Sequence, residues 1–232
     1  MNILITGARG FIGSHLVKSL PEHNVVTWDK DIKDFYLDDA INFVVHLAAL
    51  ANVRQSLENP EIYWTVNVEY SKRIFNACKN IPMIYASSSC AKEWWLSPYG
   101  TTKKTMEELA HDGHVGLRFT TVWGDGTRDN MLMGRIKNKT LKYKTNHIRD
   151  FIHVSDVVSA IKLFIDTGTE DKKNIYDVGS GKGIRIDEYV ESLGIDVPLK
   201  EGSECESKSN VADITELKKL GWINETNLCT YW

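Results

Sequence analysis

The feature that most constrains this chain lies in its first twenty residues. An apolar run, Asn2 to Thr6, leads into Gly7-Ala8-Arg9-Gly10-Phe11-Ile12-Gly13, and helical spacing continues from Phe11 to Leu20. A strand that passes through three close glycines into a helix is a specific piece of architecture. The first glycine permits a tight bend, the second admits a pyrophosphate to the backbone, and the third lets helix pack on strand. An anion then rests on the exposed N–H groups of the helix N-terminus. The spacing here is G-x-x-G-x-x-G. A purely structural turn is the plain alternative, and the strand before and helix after weigh against it.

The same alternation continues. Asn24 to Trp28 and Asn42 to Leu47 read as strands, and Asn59-Pro60 opens a helical pattern running to about Cys78. Met83 to Ala86 reads as a strand, Tyr99 to Ala110 as a helix, and Val115 to Thr121 as a strand. This order predicts an α/β fold, a doubly wound parallel sheet with helices on both faces. After Gly124 the rhythm breaks. A short helix follows the turn-rich stretch from Asp125 to Asn130, then an extended segment comes near Leu141 to Tyr143. Val154 to Ile165 and Asp187 to Leu193 read as helices, Asn174 to Val178 as a strand, and Glu201 to Ser209 as a surface loop. The expected division is a nucleotide-binding core over 1–124, completed by 140–180. Residues 125–139 and 181–232 then form a small C-terminal substrate lobe.

Composition narrows the partners. Lys plus Arg total 28 against 31 Asp plus Glu, a net charge of −3, so no global basic field exists to hold nucleic acid or an anionic membrane. The most apolar stretch, Phe43 to Ala51, is too short to span a bilayer. Cys78, Cys90, Cys205 and Cys229 lack C-x-x-C spacing, so neither a metal site nor a disulfide framework is expected. With no basic leader before Gly7, a reducing, cytoplasmic setting is the expectation.

Three sets of residues carry candidate chemistry. Asp29, at the end of the second strand, can accept both ribose hydroxyls of NAD and repel a 2′-phosphate. Arg9 and Lys30 are nearby cations that could instead welcome that phosphate, so NAD over NADP is a preference. Tyr99 and Lys103 lie four apart after the helix start Ser97-Pro98, hence on one helical face. A phenol has a reference pKa of about 10, and a neighbouring ammonium favours its phenolate. Lowering it by about three units needs roughly 4 kcal/mol of differential interaction. An ordinary exposed helix pair is the alternative. Ser87-Ser88-Ser89 ends a parallel strand, where ligand chemistry concentrates and a hydroxyl can donate to a sugar or keto oxygen. His46 and His153 read as structural. Trp94 and Trp95, in the loop before Tyr99, suit base stacking, packing or a partner contact.

Taken in order, these motifs resemble the extended short-chain dehydrogenase/reductases, specifically the NAD-dependent nucleotide-sugar epimerase/dehydratase family. The resemblance rests on Thr6 to Gly13, His46-Leu47-Ala48-Ala49, Val53-Arg54-Gln55-Ser56 through Pro60 to Asn67-Val68, Ser87 to Ser89 and Tyr99 to Lys103. It continues through Leu117-Arg118-Phe119, Arg149 to Val154 and Tyr176 to Gly181. It implies a Rossmann core that binds NAD through Gly7, Gly10, Phe11 and Ile12, with Asp29 on the adenosine ribose. Asp31-Ile32 would flank the adenine, and Leu47, Ala48 and Ala49 would line the cofactor. Ser88, Tyr99 and Lys103 are implied as catalytic, the latter two also touching the cofactor. Ser88 and Arg149 are implied as substrate-binding, Arg149 on a diphosphate, with a structural ion pair to Asp150 or another acid as the alternative. The resemblance also implies a homodimer built by the helices near Pro60 to Cys78 and Tyr99 to Ala110.

The chain departs from the family pattern in three places. Lys92-Glu93 replaces the Tyr-Gly pair that usually fixes the catalytic serine, so Ser88 is chosen by register. Only 11 residues separate Ser88 from Tyr99, and the C-terminal lobe is curtailed. The leading reaction is 4-epimerisation of a nucleotide-linked hexose through a transient 4-keto sugar. Elimination would call for Glu where Cys90 stands. Ser88-Ser89-Cys90 also resembles the Ser-Ser-Cys of GDP-fucose synthase, an NADPH-dependent epimerase and reductase whose cysteine works with a histidine. His147 would have to reach in to complete that pair. A non-catalytic cofactor-binding protein is the third reading.

Overall fold

The computed structural model describes residues 1–28, 34–226 and 228. The first half alternates β1 (Asn2–Thr6), α1 (Phe11–Lys18), β2 (Asn24–Trp28), β3 (Phe43–His46), α2 (Val53–Glu58), α3 (Pro60–Trp64) and α4 (Tyr70–Ala77). A π-helical turn, Thr65–Glu69, joins α3 to α4. Next come β4 (Met83–Ser88), α5 (Pro98–Leu109), β5 (His114–Phe119), β6 (Thr121–Trp123) and α6 (Leu132–Lys137). The remainder is β7 (Lys144–Thr145), β8 (Ile148–His153), α7 (Val154–Thr167), β9 (Ile175–Val178), β10 (Gly183–Arg185), α8 (Ile186–Ser192), β11 (Leu199–Lys200), β12 (Ser209–Asn210) and α9 (Thr215–Lys219).

The main sheet has six parallel strands in the order β2-β1-β3-β4-β5-β9. The chain first moves outward from β1 to β2, then returns to the other side at β3. That reversal opens a crevice above the carboxyl ends of β1 and β3, the place where such sheets bind ligands. The expected doubly wound parallel sheet is therefore what the chain forms.

Period-2 alternation explains why both faces are covered. Ile3, Ile5, Phe43, Val45 and Ile84 point to one core with Leu16 of α1 and Val157, Ile161 and Phe164 of α7. Leu4, Val44, Met83 and Tyr85 point to the other, with Ile74 and Phe75 of α4 and Met106 of α5. A strand buried on both faces calls for an apolar run, which Phe43, Val44 and Val45 supply in β3 before His46.

The second half departs from the sequence reading. The run Val115 to Thr121 ends in the main sheet at Phe119, and β6 leaves to pair with β8. β8 also pairs with β10 and β12. The extended segment falls at Lys144–Thr145 rather than Leu141 to Tyr143, paired with β11. Trp123, Met133, Ile136, Phe151 and Val190 form a third apolar cluster there. Two elements near the site, α2 and β8, had no counterpart in the periodicity reading.

Candidate active site

The glycine turn is built as a cradle. Gly7 sits at φ +72°, and a Cβ there would lie 2.7 Å from the Ala48 nitrogen. Only glycine fits both that conformation and that approach. A Cβ at Gly13 would run into the Gly7 carbonyl, which is how the helix start packs so closely on β1. Gly10 caps α1 with no side-chain bond, so the first-turn N–H groups remain for an anion. The chain thus fits a dinucleotide pyrophosphate at this turn. Asp29, Asp31 and Ile32, expected on the adenosine side, lie outside the described residues.

From this turn a cavity of about 930 Å³ runs across the strand ends to the second sheet. Its walls include Gly7, Gly10, Phe11, Ile12, Leu47 and Ala49 at one end. Ser88, Cys90, Tyr99 and Lys103 stand in the middle, and His147, Arg149 and Glu206 at the other end. Ala48 instead sets its backbone against Gly7. The residues expected to act together are thus brought into one crevice.

Helix α5 starts at a defined point. Ser97 caps it by accepting from Gly100 N at 3.1 Å, and Pro98 takes the first helical position. Tyr99 and Lys103 then point back to β4 one turn apart. The Lys103 ammonium donates to the Ala86 carbonyl at 2.8 Å and lies 6.0 Å from the Tyr99 ring centre. Burial raises the Tyr99 phenol above its ordinary range and Cys90 adds to this, while the Ser88 hydroxyl and Arg128 pull it down. Burial lowers the Lys103 ammonium to about 7, with Glu107 opposing. Ser88 caps the turn after β4, accepting from Cys90 N at 3.2 Å. Burial likewise raises the Cys90 thiol, against the Ser88 bond and the Arg149 charge.

Arg149 lines the far end of the cavity, tightly held by the ion pair that was the alternative to diphosphate binding. It donates to the Ile148 and Ser207 carbonyls at 3.0 and 2.8 Å, pairs with Glu206 at 3.1 Å and meets His147 Nδ1 at 3.0 Å. Its acid is Glu206, not Asp150. Asp150 is fully buried and accepts from the backbone nitrogens of Ser180, Gly181 and Ala212 and from the Ser180 hydroxyl. Glu206 also takes Arg54 Nε at 3.0 Å, and Arg54 donates to the Tyr143 hydroxyl at 2.9 Å.

His46 is a satisfied core residue, between Thr6 Oγ1 at 2.7 Å and Ser71 Oγ at 2.9 Å. His153 caps α7, accepting from Ser155 N at 3.3 Å. Lys92 pairs with Asp177, and Glu93 lines the cavity. The sequence reading missed Arg54, Ser56, Glu107, Tyr143 and Glu206. Arg54 and Ser56 stand in the motif Val53-Arg54-Gln55-Ser56, to which the sequence reading assigns no site role, and Glu107 lies four residues after Lys103; Tyr143 and Glu206 carry no local signal. Among the described residues no group of three His, Cys, Asp or Glu side chains could hold a metal ion.

Residues 3–179 match the model of the NAD dependent epimerase/dehydratase family. The chain belongs to that family. A similar relative of this epimerase/dehydratase chain is a putative UDP-glucose 4-epimerase of Methanocaldococcus jannaschii. The two are 29% identical over 294 positions, covering 97% of this chain and 94% of the relative. That alignment is longer than the 232 residues here, so the relative carries segments this chain omits. Among solved structures, MoeE5 in complex with UDP-glucose and NAD superposes with a TM-score of 0.84 and 29% identity, over 98% of this chain and 95% of that one. The UDP-N-acetylglucosamine 4-epimerase of Methanobrevibacter ruminantium M1, in complex with UDP-N-acetylmuramic acid, gives 0.80 and 25%, over 97% and 93%.

Proposed function

We propose that this chain is an NAD-dependent epimerase of a nucleotide-linked sugar, inverting C4 through a transient 4-keto intermediate. The observation that carries the reading is the seating of Tyr99, Lys103 and Ser88 at one strand end, within a cavity continuous with the glycine turn. NAD, when bound, supplies the hydride acceptor and donor. The backbone at Gly7, Gly10, Phe11 and Ile12 would hold its pyrophosphate, Leu47, Ala48 and Ala49 would border it, and Lys103 would bind its nicotinamide ribose. Asp29, with Asp31 and Ile32, binds the adenosine end and favours NAD over NADP.

In this mechanism the Tyr99 oxygen takes the proton of the sugar C4 hydroxyl and later returns it. Burial holds the Tyr99 phenol neutral, against the lowered pKa expected from the sequence, so the phenolate would have to be favoured by the Lys103 charge together with the positive nicotinamide of bound NAD, and Ser88 would hold the reacting oxygen. Arg149 anchors the diphosphate end, with 125–139 and 181–232 as the substrate lobe. The test is to incubate the purified protein with UDP-, dTDP- and GDP-sugars and resolve the 4-epimers by anion exchange. Conversion without net absorbance change at 340 nm is expected. Net consumption of reduced cofactor would overturn it.

One observation favours a second reading, a 4-keto-sugar epimerase and reductase. Cys90 and His147 both line the cavity, as that reading requires of its cysteine and histidine, while His147 Nδ1 is engaged by Arg149 at 3.0 Å. Burial opposes thiolate formation at Cys90, which is why this stands second.

The homodimer belongs to the same proposal. Leu57, Trp64 and Trp95 are exposed beside the start of α5, an apolar face suited to a second copy. Light scattering after size exclusion should give twice the chain mass. No helix among the described residues is long and apolar enough to cross a membrane.

A further inference from the structure

Helix α5 sets three residues, each one turn from the next, on three consecutive residues of the β4 end. The Tyr99 phenol meets the Ser88 hydroxyl, the Lys103 ammonium donates to the Ala86 carbonyl at 2.8 Å, and Glu107 Oε1 accepts from the Ser87 hydroxyl at 2.5 Å. Arg118 is the register partner of Ser87 on β5. It closes on the same carboxylate as a fork, Nε to Oε1 at 2.7 Å and Nη2 to Oε2 at 2.6 Å. The Glu107 side chain is 3% exposed. A buried carboxylate gripped by a planar fork and a hydroxyl has one orientation open to it.

Lys103 lacks such partners. Its ammonium is buried with three protons to place; its bonds go to one carbonyl and, at 3.6 Å, to the Met106 sulfur, a weak acceptor. A buried charge held so sparingly needs an opposite charge close by.

We propose that Glu107 is a positioning residue for the Tyr99–Lys103 couple: clamped by Ser87 and Arg118, it fixes the seat of α5 on β4 and supplies the counter-charge that keeps Lys103 an ammonium. The proposal rests on the epimerase reading only for the role given to that couple. Other charged and titratable groups around Lys103 do not serve. Tyr99 on its own helix is held neutral by burial, as is His46 on β3, and His46 would repel the ammonium if protonated. Tyr85 on β4, Tyr63 on α3 and Cys90 are likewise raised towards their neutral forms. Arg118 on β5 is a like charge and offers Lys103 no compensation. The charged residues of the packed helices, Arg54, Glu58, Glu61, Glu69, Lys72 and Arg73, are all exposed.

The experiment compares the NAD-loaded wild type with Glu107→Gln, which keeps the shape and removes the charge, and Glu107→Asp, which keeps the charge. In the pH profile of kcat, the alkaline limb reports loss of the ammonium. It should move down by about one pH unit in Glu107→Gln, an approximately tenfold loss above the limb that shrinks on acidification. Glu107→Asp should lose rate evenly and keep the limb. An equal loss at every pH in both variants would mean scaffolding alone and would overturn the proposal.

A second readout needs no turnover. Removing the counter-charge makes folded Lys103 lose its proton at lower pH, while the unfolded lysine holds it. Tm should therefore rise more steeply with pH in Glu107→Gln than in wild type, near neutrality. That extra slope must vanish when both proteins also carry Lys103→Met. If it persists, or never appears, Glu107 is not the counter-charge, whatever substrate the protein turns over. If slope and coupling appear but no nucleotide sugar reacts, the inference stands and the epimerase reading falls.

Discussion

The buried hydroxyl of Ser56 accepts the backbone N–H of Tyr99 at 3.1 Å, so helix α2 completes the capping of helix α5 from outside it. Ser97 satisfies Gly100 N, and Ser56 satisfies the N–H one residue earlier. Ser56 is itself tied down by donating to the Val53 carbonyl at 2.6 Å. The residue that positions the proposed acid–base group thus sits 43 positions earlier in the chain.

Ser56→Ala should expose the importance of that bond. It leaves a buried N–H unpaired, which costs about 1–3 kcal/mol. Urea unfolding should report that loss. kcat should fall more than KM rises, because the Tyr99 oxygen is displaced and the substrate end is untouched. Unchanged stability with full activity would show that another group takes over the N–H.

Tyr99→Phe removes one hydroxyl and keeps the ring that packs edge-on against Tyr63 at 6.3 Å. Turnover should drop by about 10²–10⁴-fold, the usual contribution of a general acid–base group, with NAD affinity and Tm nearly unchanged. Full activity on the true substrate would remove Tyr99 from the mechanism.

The first half of the fold was legible because buried parallel strands and helices on both faces impose strong periodicities. The glycine turn, β1 to β5 and the Tyr99–Lys103 helix all follow from such local patterns. Helix α2 was not, since six residues give less than two turns of period, although Asn52 caps it by accepting from Gln55 N. β8 was obscured because Arg149, Asp150 and His153 interrupt an apolar run; Asp150 is tolerated only because four donors from distant segments converge on it. The same limit hid Ser56 and Glu206, whose partners are set by tertiary contact. Ser88 is reached by register alone, because the Tyr-Gly pair that would fix it is replaced by Lys92-Glu93.

Cys90 separates the two enzymatic readings. In a 4-epimerase it is a small wall residue, and Cys90→Ser should cost little activity. Proton removal from a carbon beside a keto group needs a thiolate that serine cannot replace. Wild type and Cys90→Ser should therefore be compared on nucleotide sugars and on their 4-keto derivatives. Stoichiometric NADPH oxidation with C3 or C5 proton exchange lost in the mutant would establish the reductase reading instead.

His46 predicts how the crevice responds to acid. The Thr6 hydroxyl accepts from Ala48 N at 3.3 Å, so its own proton is free for His46 Nδ1 at 2.7 Å. The other ring nitrogen then carries the imidazole proton towards Ser71 at 2.9 Å, and the neutral form satisfies every partner. Burial, with the Lys103 charge adding, lowers this imidazole from 6.5 to about 3. The sign follows from linkage. Below 6.5 the unfolded chain binds a proton that the folded chain refuses until about 3, so this stability is complete above 6.5 and is lost as pH falls through that window. The slope approaches about 1.4 kcal/mol per pH unit once the unfolded imidazole is protonated. Urea unfolding at pH 7, 6 and 5 should show it in wild type and a shallower fall in His46→Gln, since His114, His147 and His153, also lowered, remain in both. Parallel curves would mean that the folded chain accommodates a charged His46. Because folded His46 stays neutral down to about 3, Leu47 and Ala49, which follow it into the cavity wall, are undisturbed by it, and its titration should leave NAD affinity unchanged over the same pH range.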